Sequence, residues 1–212
     1  MELTHLTVRE YTSKLASGDP TPGGGSAAAL AGVLAAALGE MAGNFTVGKE
    51  KFAAVEDDVR EILDRLGEQR ARLIELTDED ANAYALVGAA YQMPKASDEE
   101  KAARQAAIQG ALRQAAGVPL AATEACAAII DELDELRQKG NPNLLSDVAV
   151  AAEFAMAALR CGALNVHVNL AYIKDEGYCA DVSEIVDARL QAAEQPARYV
   201  FDTIESSIRG GV

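Results

Sequence analysis

The sequence predicts an all-α fold, a single-domain bundle of long helices. Apolar residues recur at three- and four-residue intervals along most of the chain, and no segment shows the sustained alternation of a half-buried strand. Two Ala-rich, mostly apolar stretches, residues 26–47 and 142–173, fit helices buried inside such a bundle. A chain of 212 residues is compatible with one hydrophobic core. We therefore expect residues 1–212 to form one domain without an internal linker.

The first two predicted helices flank an irregular loop. Thr7 and Glu10 have the spacing of a capping box, which predicts a helix from Thr7 to about Ser17. The prolines and glycines of residues 18–25 then exclude regular structure. The helix expected over 26–47 is long enough to cross a membrane, but its alanines and glycines contribute little transfer free energy and it lacks a basic flank. We therefore expect it to be buried on all sides within the protein.

The helical pattern of the middle of the chain is interrupted twice. Apolar spacing predicts an amphipathic helix over residues 55–74. Residues 77–80 then either cap a new helix or interrupt a longer one. A second interruption is expected at Pro119, because proline suits the first turn of a helix. We therefore expect separate helices over residues 97–117 and 119–139.

The last third of the chain is predicted to form two helices. Asn141 and Pro142 make a typical helix start, with a capping side chain and a proline in the first turn. The Ala-rich run that follows is expected to pack against the helix of residues 26–47. Apolar residues recur at helical spacing from 182 to 208 and mark a final amphipathic helix.

The composition argues against several classes of function. A formal net charge of -14 and an isoelectric point near 4.5 would repel phosphate groups, so we expect neither a nucleic-acid partner nor a membrane partner. Three widely spaced cysteines form no disulfide framework and the N-terminus lacks a secretory signal, which favours a cytoplasmic protein. There are only two histidines and no zinc-deaminase signature, so we expect no metal.

The loop before the second helix is the first of three notable polar groupings. Residues 22–26 read Pro-Gly-Gly-Gly-Ser. Free backbone N–H groups beside a helix N-terminus could hold a carboxylate or carbonyl oxygen of a ligand. The alternative is a sharp turn without a ligand, in which Gly25 or Ser26 caps the helix.

The second polar grouping is the pair Asp78 and Asp80. Residues two apart on a regular helix lie about 200° apart, so only one of the two aspartates is expected to face a pocket. The alternative gives both acids a structural role, because Thr77 with Asp80 fits a capping box and acids are favoured in a first helical turn.

The third polar grouping lies on the helix that follows Asn141. Asn143 and Asp147 are one turn apart, and Asn165 and Asn169 continue the same stripe farther along. At 1.5 Å per residue, Asp147 and Asn165 are roughly 27 Å apart. They would therefore serve different ends of a site, different sites, or hydrogen bonding between buried helices. His167 lies off this stripe, where we expect a partly buried or surface residue.

Five blocks of sequence occur in the order expected of one family. They read TPGGGSAAA, VGK, TDEDA, GNPNLLSDV and NVHVNL, and they occupy residues 21–29, 47–49, 77–81, 140–148 and 165–170. Together they resemble the formiminotransferase-cyclodeaminase C-terminal domain family, which includes stand-alone methenyltetrahydrofolate cyclohydrolases. The resemblance covers nearly the whole chain.

The resemblance implies a homodimer of all-helical subunits that binds folate in a groove near the subunit interface. It also implies that Asp78 or Asp80 is the catalytic acid/base, with Lys49 as a polar residue of the catalytic site. The residues that it assigns to substrate binding or orientation are Gly23, Gly24, Gly25, Ser26, Asn143, Asp147, Asn165 and Asn169. His167 stands where the family pattern leads us to expect an apolar residue.

The activity implied by the resemblance is hydrolysis of 5,10-methenyltetrahydrofolate to 10-formyltetrahydrofolate, with no cofactor besides the folate substrate. This reaction needs a base to activate water and an acid for the departing nitrogen, which one carboxylate beside a lysine could supply. A formiminotetrahydrofolate cyclodeaminase would use related chemistry through a tetrahedral carbon. A non-catalytic helical module that binds folate or a partner protein is a third hypothesis.

Overall fold

The computed structural model describes residues 2–210, which fold into helices with no strand among them. This confirms the predicted all-α class. Three short 3-10 turns, Leu3–His5, Glu50–Val55 and Pro142–Leu144, lie between or before the main helices. Those helices are α1 (Val8–Leu15), α2 (Gly24–Asn44), α3 (Glu56–Gln92), α4 (Asp98–Lys139), α5 (Leu145–Leu170) and α6 (Glu176–Arg209).

The helix starts agree closely with the capping signals in the sequence. Thr7 and Ser97 each form a complete capping box with the glutamate three residues later. Asn141 caps the short turn before α5, because its side chain accepts a hydrogen bond from the Asn143 backbone N–H. The expected pairing of the two Ala-rich helices is also confirmed, since α2 packs against α5.

Two predicted interruptions are wrong, because α3 and α4 are each continuous. Thr77 does not cap a helix; it is buried within α3 and its hydroxyl donates to the Leu73 carbonyl at 2.8 Å. Pro119 lies inside α4. The Ala115 carbonyl, which cannot receive a hydrogen bond from residue 119, accepts one from Asn169 of α5 at 3.2 Å. In α3 the Thr77 hydroxyl bonds to a carbonyl of its own helix, and this is compatible with an unbroken helix. In α4 the carbonyl that Pro119 leaves without a donor is bonded from α5, and this supports the unbroken helix there.

The seam between α2 and α3 follows a seven-residue repeat on both helices. Gly39 faces Leu66 and Gly32 faces Leu73, and a Cβ added to either glycine would lie 2.9 Å from a leucine Cδ1. The next pair in the same register is Gly25 and Asp80. The glycines therefore let α3 side chains lie against the α2 backbone, and the last of these side chains is a carboxylate.

The prediction that α2 is buried on all sides is wrong for the described chain. Its core face is buried, but Leu34 is 48% exposed and Phe45, just beyond its end, is 52% exposed. By length and apolar composition α2 could also cross a membrane, although half of its most apolar 18-residue segment is buried in the fold. A buried core helix of a bundle has the same length and composition.

Two buried clusters make up the interior, and Leu190 of α6 packs against both of them. The larger cluster is formed by residues of α2, α3, α4, α5 and α6. The smaller one surrounds Val166 and Val186, beside the C-terminal half of α5. Because the two clusters share Leu190, the helices enclose a connected interior.

Candidate active site

A cavity of about 480 Å³ opens where the start of α2 meets α3, α4 and the C-terminal half of α5. This size is in the usual range for small-molecule sites. Its walls include Asp80, Asn165 and Asn169 together with the glycine-rich loop. Three of the four loop residues assigned to substrate binding, Gly23, Gly24 and Gly25, therefore line one cavity with one predicted acid.

The carboxylate of Asp80 lies directly over the first turn of α2. Its Oδ2 accepts a hydrogen bond from the Ser26 backbone N–H at 2.9 Å. A Cβ added to Gly25 would lie 2.6 Å from Asp80 Cγ, so only glycine leaves room for this carboxylate. Burial raises the pKa of Asp80 above its usual 3.8, and the Ser26 hydrogen bond opposes that rise. The site therefore contains a carboxyl group suited to taking up and returning a proton.

One of the backbone N–H groups predicted to hold a ligand oxygen is occupied within the protein. The first-turn N–H of Ser26 binds the Asp80 carboxylate, while Gly23, Gly24 and Gly25 line the cavity and their contact with substrate stays a prediction. The alternative of a cap at Gly25 or Ser26 is wrong, because Gly23 is the N-cap of α2 and supplies no side-chain bond. Ser26 itself is buried.

Tyr11, which sequence reasoning left out of the site, contacts Ser26, the residue whose backbone N–H binds Asp80. Its phenol oxygen is 3.0 Å from the Ser26 hydroxyl, and the ring is only 5% exposed. Burial raises the pKa of Tyr11, with a further contribution from the negative charges of Asp80 and Asp78. The phenol therefore stays protonated at neutral pH and helps to fix the Ser26 side chain.

Asp78 has a different environment from Asp80. Its carboxylate accepts hydrogen bonds from the Leu3 backbone N–H and, at 2.6 Å, from the Thr4 hydroxyl. Asp78 is not among the residues that line the cavity. As the helical phase predicts, only one of the two aspartates faces the pocket, and Asp78 fastens the N-terminal turn to α3.

The two asparagines of α5 meet the cavity one helical turn apart. The Asn165 amide lies over Gly24, and its Nδ2 donates to the Cys161 carbonyl at 2.8 Å. Asn169 Nδ2 donates to the Ala115 and Asn165 carbonyls at 3.2 and 3.0 Å. Both side chains are therefore held from the protein side while they line the cavity.

Three tyrosines that the sequence analysis did not assign form much of the outer wall. Tyr84 and Tyr91 lie two turns apart on α3, and Tyr172 follows α5. They are 55%, 46% and 64% exposed. Exposed aromatic rings on a cavity wall favour a flat ligand, because they provide contact area with little loss of conformational freedom. The seven-residue spacing of Tyr84 and Tyr91 was a readable signal.

The other predicted site residues lie at the opposite end of the α2–α5 pair. Lys49 is exposed, after the C-terminus of α2, and Asn143 and Asp147 are at the start of α5. A hydrogen bond of 2.9 Å from the Asn141 N–H to the Thr46 hydroxyl ties these two segments together. We call the group formed by Lys49, Asn143 and Asp147 the distal polar end. Helical rise places it roughly 27 Å from the cavity within one chain.

Comparison with known proteins connects this geometry to a family. The sequence profile of the formiminotransferase-cyclodeaminase family matches residues 7–188. The chain belongs to this family. Its members include a methenyltetrahydrofolate cyclohydrolase of Methylorubrum extorquens, which is 39% identical over 95% of this chain and 97% of its own length.

Other relatives in the family carry a different name. The formimidoyltransferase-cyclodeaminase of Sus scrofa is 34% identical over 96% of this chain, which spans only 38% of that protein. A crystal structure of formiminotetrahydrofolate cyclodeaminase from Thermotoga maritima superposes with a TM-score of 0.88 at 31% identity, over 98% of this chain and 100% of that one. The family and the helical fold are thus established together.

Proposed function

We propose that this protein hydrolyses 5,10-methenyltetrahydrofolate to 10-formyltetrahydrofolate. The observation that carries the proposal is the partly buried Asp80 carboxylate, whose pKa is raised at the base of a cavity with aromatic walls. Similarity over 97% of the length of the methenyltetrahydrofolate cyclohydrolase of Methylorubrum extorquens supports the choice of substrate. The proposal includes a cytoplasmic location and no cofactor besides the folate.

Asp80 would serve first as base and then as acid. The ionised carboxylate takes a proton from water as the water oxygen attacks the carbon between N5 and N10. Asp80 then returns that proton to N5 as the bond from carbon to N5 breaks. The hydroxyl proton leaves for solvent as the formyl carbonyl forms, so the reaction consumes one water and releases one proton. A raised pKa favours the second transfer, and the negative charge of Asp80 favours binding of the cationic substrate.

A direct assay separates this proposal from its alternatives. Purified protein is mixed with 5,10-methenyltetrahydrofolate, and loss of the near-ultraviolet absorption is followed at a pH where spontaneous hydrolysis is slow. We expect rapid loss that falls by roughly 10³-fold in Asp80→Asn, because acid/base catalysis is worth about 10²–10⁴-fold. Asp78→Asn is the matched control and should keep most of its rate per folded molecule.

The cyclodeaminase reaction is the second candidate, supported by the name of the similar Thermotoga maritima protein. There N10 would attack a formimino carbon, and Asp80 would protonate the departing ammonia. Ammonia release from 5-formiminotetrahydrofolate with no loss of methenyl absorption would favour this candidate. Folate binding without either reaction would favour the non-catalytic module.

We further propose that the protein acts as a homodimer through the exposed apolar side chains of α2 and α5. The leucine, valine and phenylalanine side chains that are at least 39% exposed on or beside these helices are Leu34, Phe45, Val150, Phe154, Leu164 and Val168. An apolar surface of this kind favours association. Val168 also lines the cavity, so the cavity adjoins this surface.

In a dimer, the distal polar end of one subunit could contribute to the active site of the other subunit. If a two-fold axis crosses the middle of the α2–α5 face, the helices of the two subunits run in opposite directions. The distal polar end of one subunit then approaches the cavity of the other. This arrangement accounts for the site residues that the resemblance implies but that one chain keeps roughly 27 Å apart.

Mixing two inactive variants tests the shared site. Asp80→Asn and Lys49→Ala are each expected to be strongly impaired as homodimers. When they are unfolded and refolded together at equal amounts, half of the dimers are mixed, and each mixed dimer has one intact site. The expected activity is about a quarter of the wild-type value. Activity no higher than the mean of the two variants, or a stable monomer by light scattering, would contradict the shared site.

A further inference from the structure

The orientation of the Asn169 side-chain amide is fixed by two backbone carbonyls. A primary amide has two N–H donors, and Nδ2 of Asn169 uses them on Ala115 and Asn165. Reversing the amide would place its oxygen against two other oxygens. Among residues 2–210, no donor reaches Oδ1. Asn169 therefore offers the cavity an acceptor whose partner must come from a ligand or from solvent.

Because of Pro119, one of the two carbonyls that bind this amide has no donor within its own helix. In an uninterrupted α-helix the N–H of residue 119 would donate to the Ala115 carbonyl, but proline has no N–H. Asn169 Nδ2, on the neighbouring helix α5, donates to the Ala115 carbonyl instead. A proline in the interior of α4 thereby determines which atom of Asn169 a ligand meets.

We propose that Asn169 Oδ1 recognises a ring N–H of the substrate's reduced pterin, and that Pro119 is the positioning residue that holds this oxygen in place. The inference rests on the proposed function. A reduced pterin has an edge rich in donors, namely N8–H, N3–H and the 2-amino group. Asn169 is one helical turn, roughly 6 Å, beyond Asn165, which lies over Gly24 beside the Asp80 carboxylate. A pterin joined through N5 to the reacting carbon extends that far.

The donor edge distinguishes the pterin from the other half of the ligand. The benzoyl ring of p-aminobenzoylglutamate suits the tyrosine wall by stacking, whereas an acceptor fixed on α5 suits a ring that carries N–H groups. The glutamate linkage also contains one amide N–H. This is the competing donor, and the two fragments can be tested separately.

The test measures binding of 6-methyltetrahydropterin, p-aminobenzoylglutamate and tetrahydrofolate by calorimetry under anaerobic conditions. Asn169→Leu removes the acceptor at similar volume. It should weaken binding of the pterin and of tetrahydrofolate about 10-fold and leave p-aminobenzoylglutamate unchanged, because one well-formed hydrogen bond is worth about that factor. In turnover it should raise KM and leave the acid limb of the kcat profile, set by Asp80, where it is.

Pro119→Ala tests the positioning role. The restored helical N–H competes for the Ala115 carbonyl, so the Asn169 side-chain amide protons should exchange faster in NMR spectra and pterin binding should weaken about 3-fold. Pro196→Ala is the matched control, because Pro196 also lies inside a helix, but among residues 2–210 no side chain of a cavity-lining residue bonds the Ala192 carbonyl, four residues before it. It should change neither quantity.

Several outcomes would overturn the inference. Unchanged pterin affinity in Asn169→Leu would assign the oxygen to no pterin donor, and loss for p-aminobenzoylglutamate alone would assign it to the glutamate linkage. Equal loss for both fragments would mean that the substitution disturbs the whole cavity and that the oxygen recognises neither fragment. Unchanged amide exchange in Pro119→Ala would remove Pro119 from the account. Failure of the proposed function would give a different result from failure of this inference. If wild-type protein binds the pterin through Asn169 but does not hydrolyse methenyltetrahydrofolate, the inference stands and the hydrolysis is excluded.

Discussion

The two ends of the α2–α3 seam have the same backbone geometry and different chemistry. At one end Gly39 accommodates Leu66, which is fully buried; at the other Gly25 accommodates Asp80, which lines a cavity. Both contacts belong to one seven-residue register. A core position thus becomes a site position when the leucine of the repeat is replaced by an aspartate beside a cavity, and the surrounding packing supplies the desolvation that raises the pKa of its carboxyl group.

One added methyl group should have different effects at the two ends of the seam. Gly25→Ala should lower kcat by roughly 10²-fold, because its Cβ displaces the carboxylate and a shift of about 1 Å can cost that much. Gly39→Ala should instead cost about 1 kcal/mol of unfolding free energy, the balance between overpacking and a gain in helix propensity. Both variants are compared by turnover per folded molecule and by urea denaturation.

The comparison fails if the two alanine variants behave alike. Gly18→Ala is the control for both, because a Cβ there meets no atom within 4 Å. It should match wild type in stability and in rate.

Replacing Asp80 with leucine would continue the leucine repeat of Leu66 and Leu73 to the cavity end of the seam. Asp80→Leu should abolish turnover and raise the free energy of unfolding by about 1 kcal/mol, since apolar burial replaces a partly buried carboxylate while the Ser26 N–H loses its partner. Chemical denaturation of this variant beside Asp80→Asn measures the effect. A less stable leucine variant would mean that the aspartate contributes to folding as well as to the site.

The smallest expected effect is on the pH dependence of stability. The folded-state pKa of Asp80 is raised above 3.8, so the folded protein binds this proton more tightly than the unfolded chain does. The resulting stabilisation is complete below that unfolded value and is lost as the pH rises through the folded pKa. The unfolding free energy of wild type relative to Asp80→Asn should therefore fall across this window and then become constant. A relative stability that rises with pH would contradict the assigned direction.

Helix class, capping boxes and the pairing of the Ala-rich helices were predictable because they depend on local signals and periodicity. The continuity of α3 and α4 was harder to predict. At Thr77 the hydroxyl bonds back into its own helix, and at Pro119 the freed carbonyl is satisfied from α5, more than fifty residues away in sequence. Residues that usually end a helix do not do so when such partners are present.

The site was predictable in composition and only partly in arrangement. Helical phase correctly separated Asp78 from Asp80, although it could not say which one faced the cavity. The repeats that decide this were present in the sequence: glycines at 25, 32 and 39, and Leu66, Leu73 and Asp80 at the same spacing. The antiparallel register that brings the two repeats together is a tertiary property, so the sequence alone does not show that the Asp80 carboxylate occupies the Ser26 N–H.

The tyrosine wall has a practical consequence for spectroscopy. The chain contains six tyrosines and no tryptophan, and Tyr84, Tyr91 and Tyr172 line the cavity. The intrinsic ultraviolet emission of the protein therefore comes from a small set of phenols, half of them beside the proposed ligand. Quenching of this emission during a titration would report occupancy of the cavity without any label.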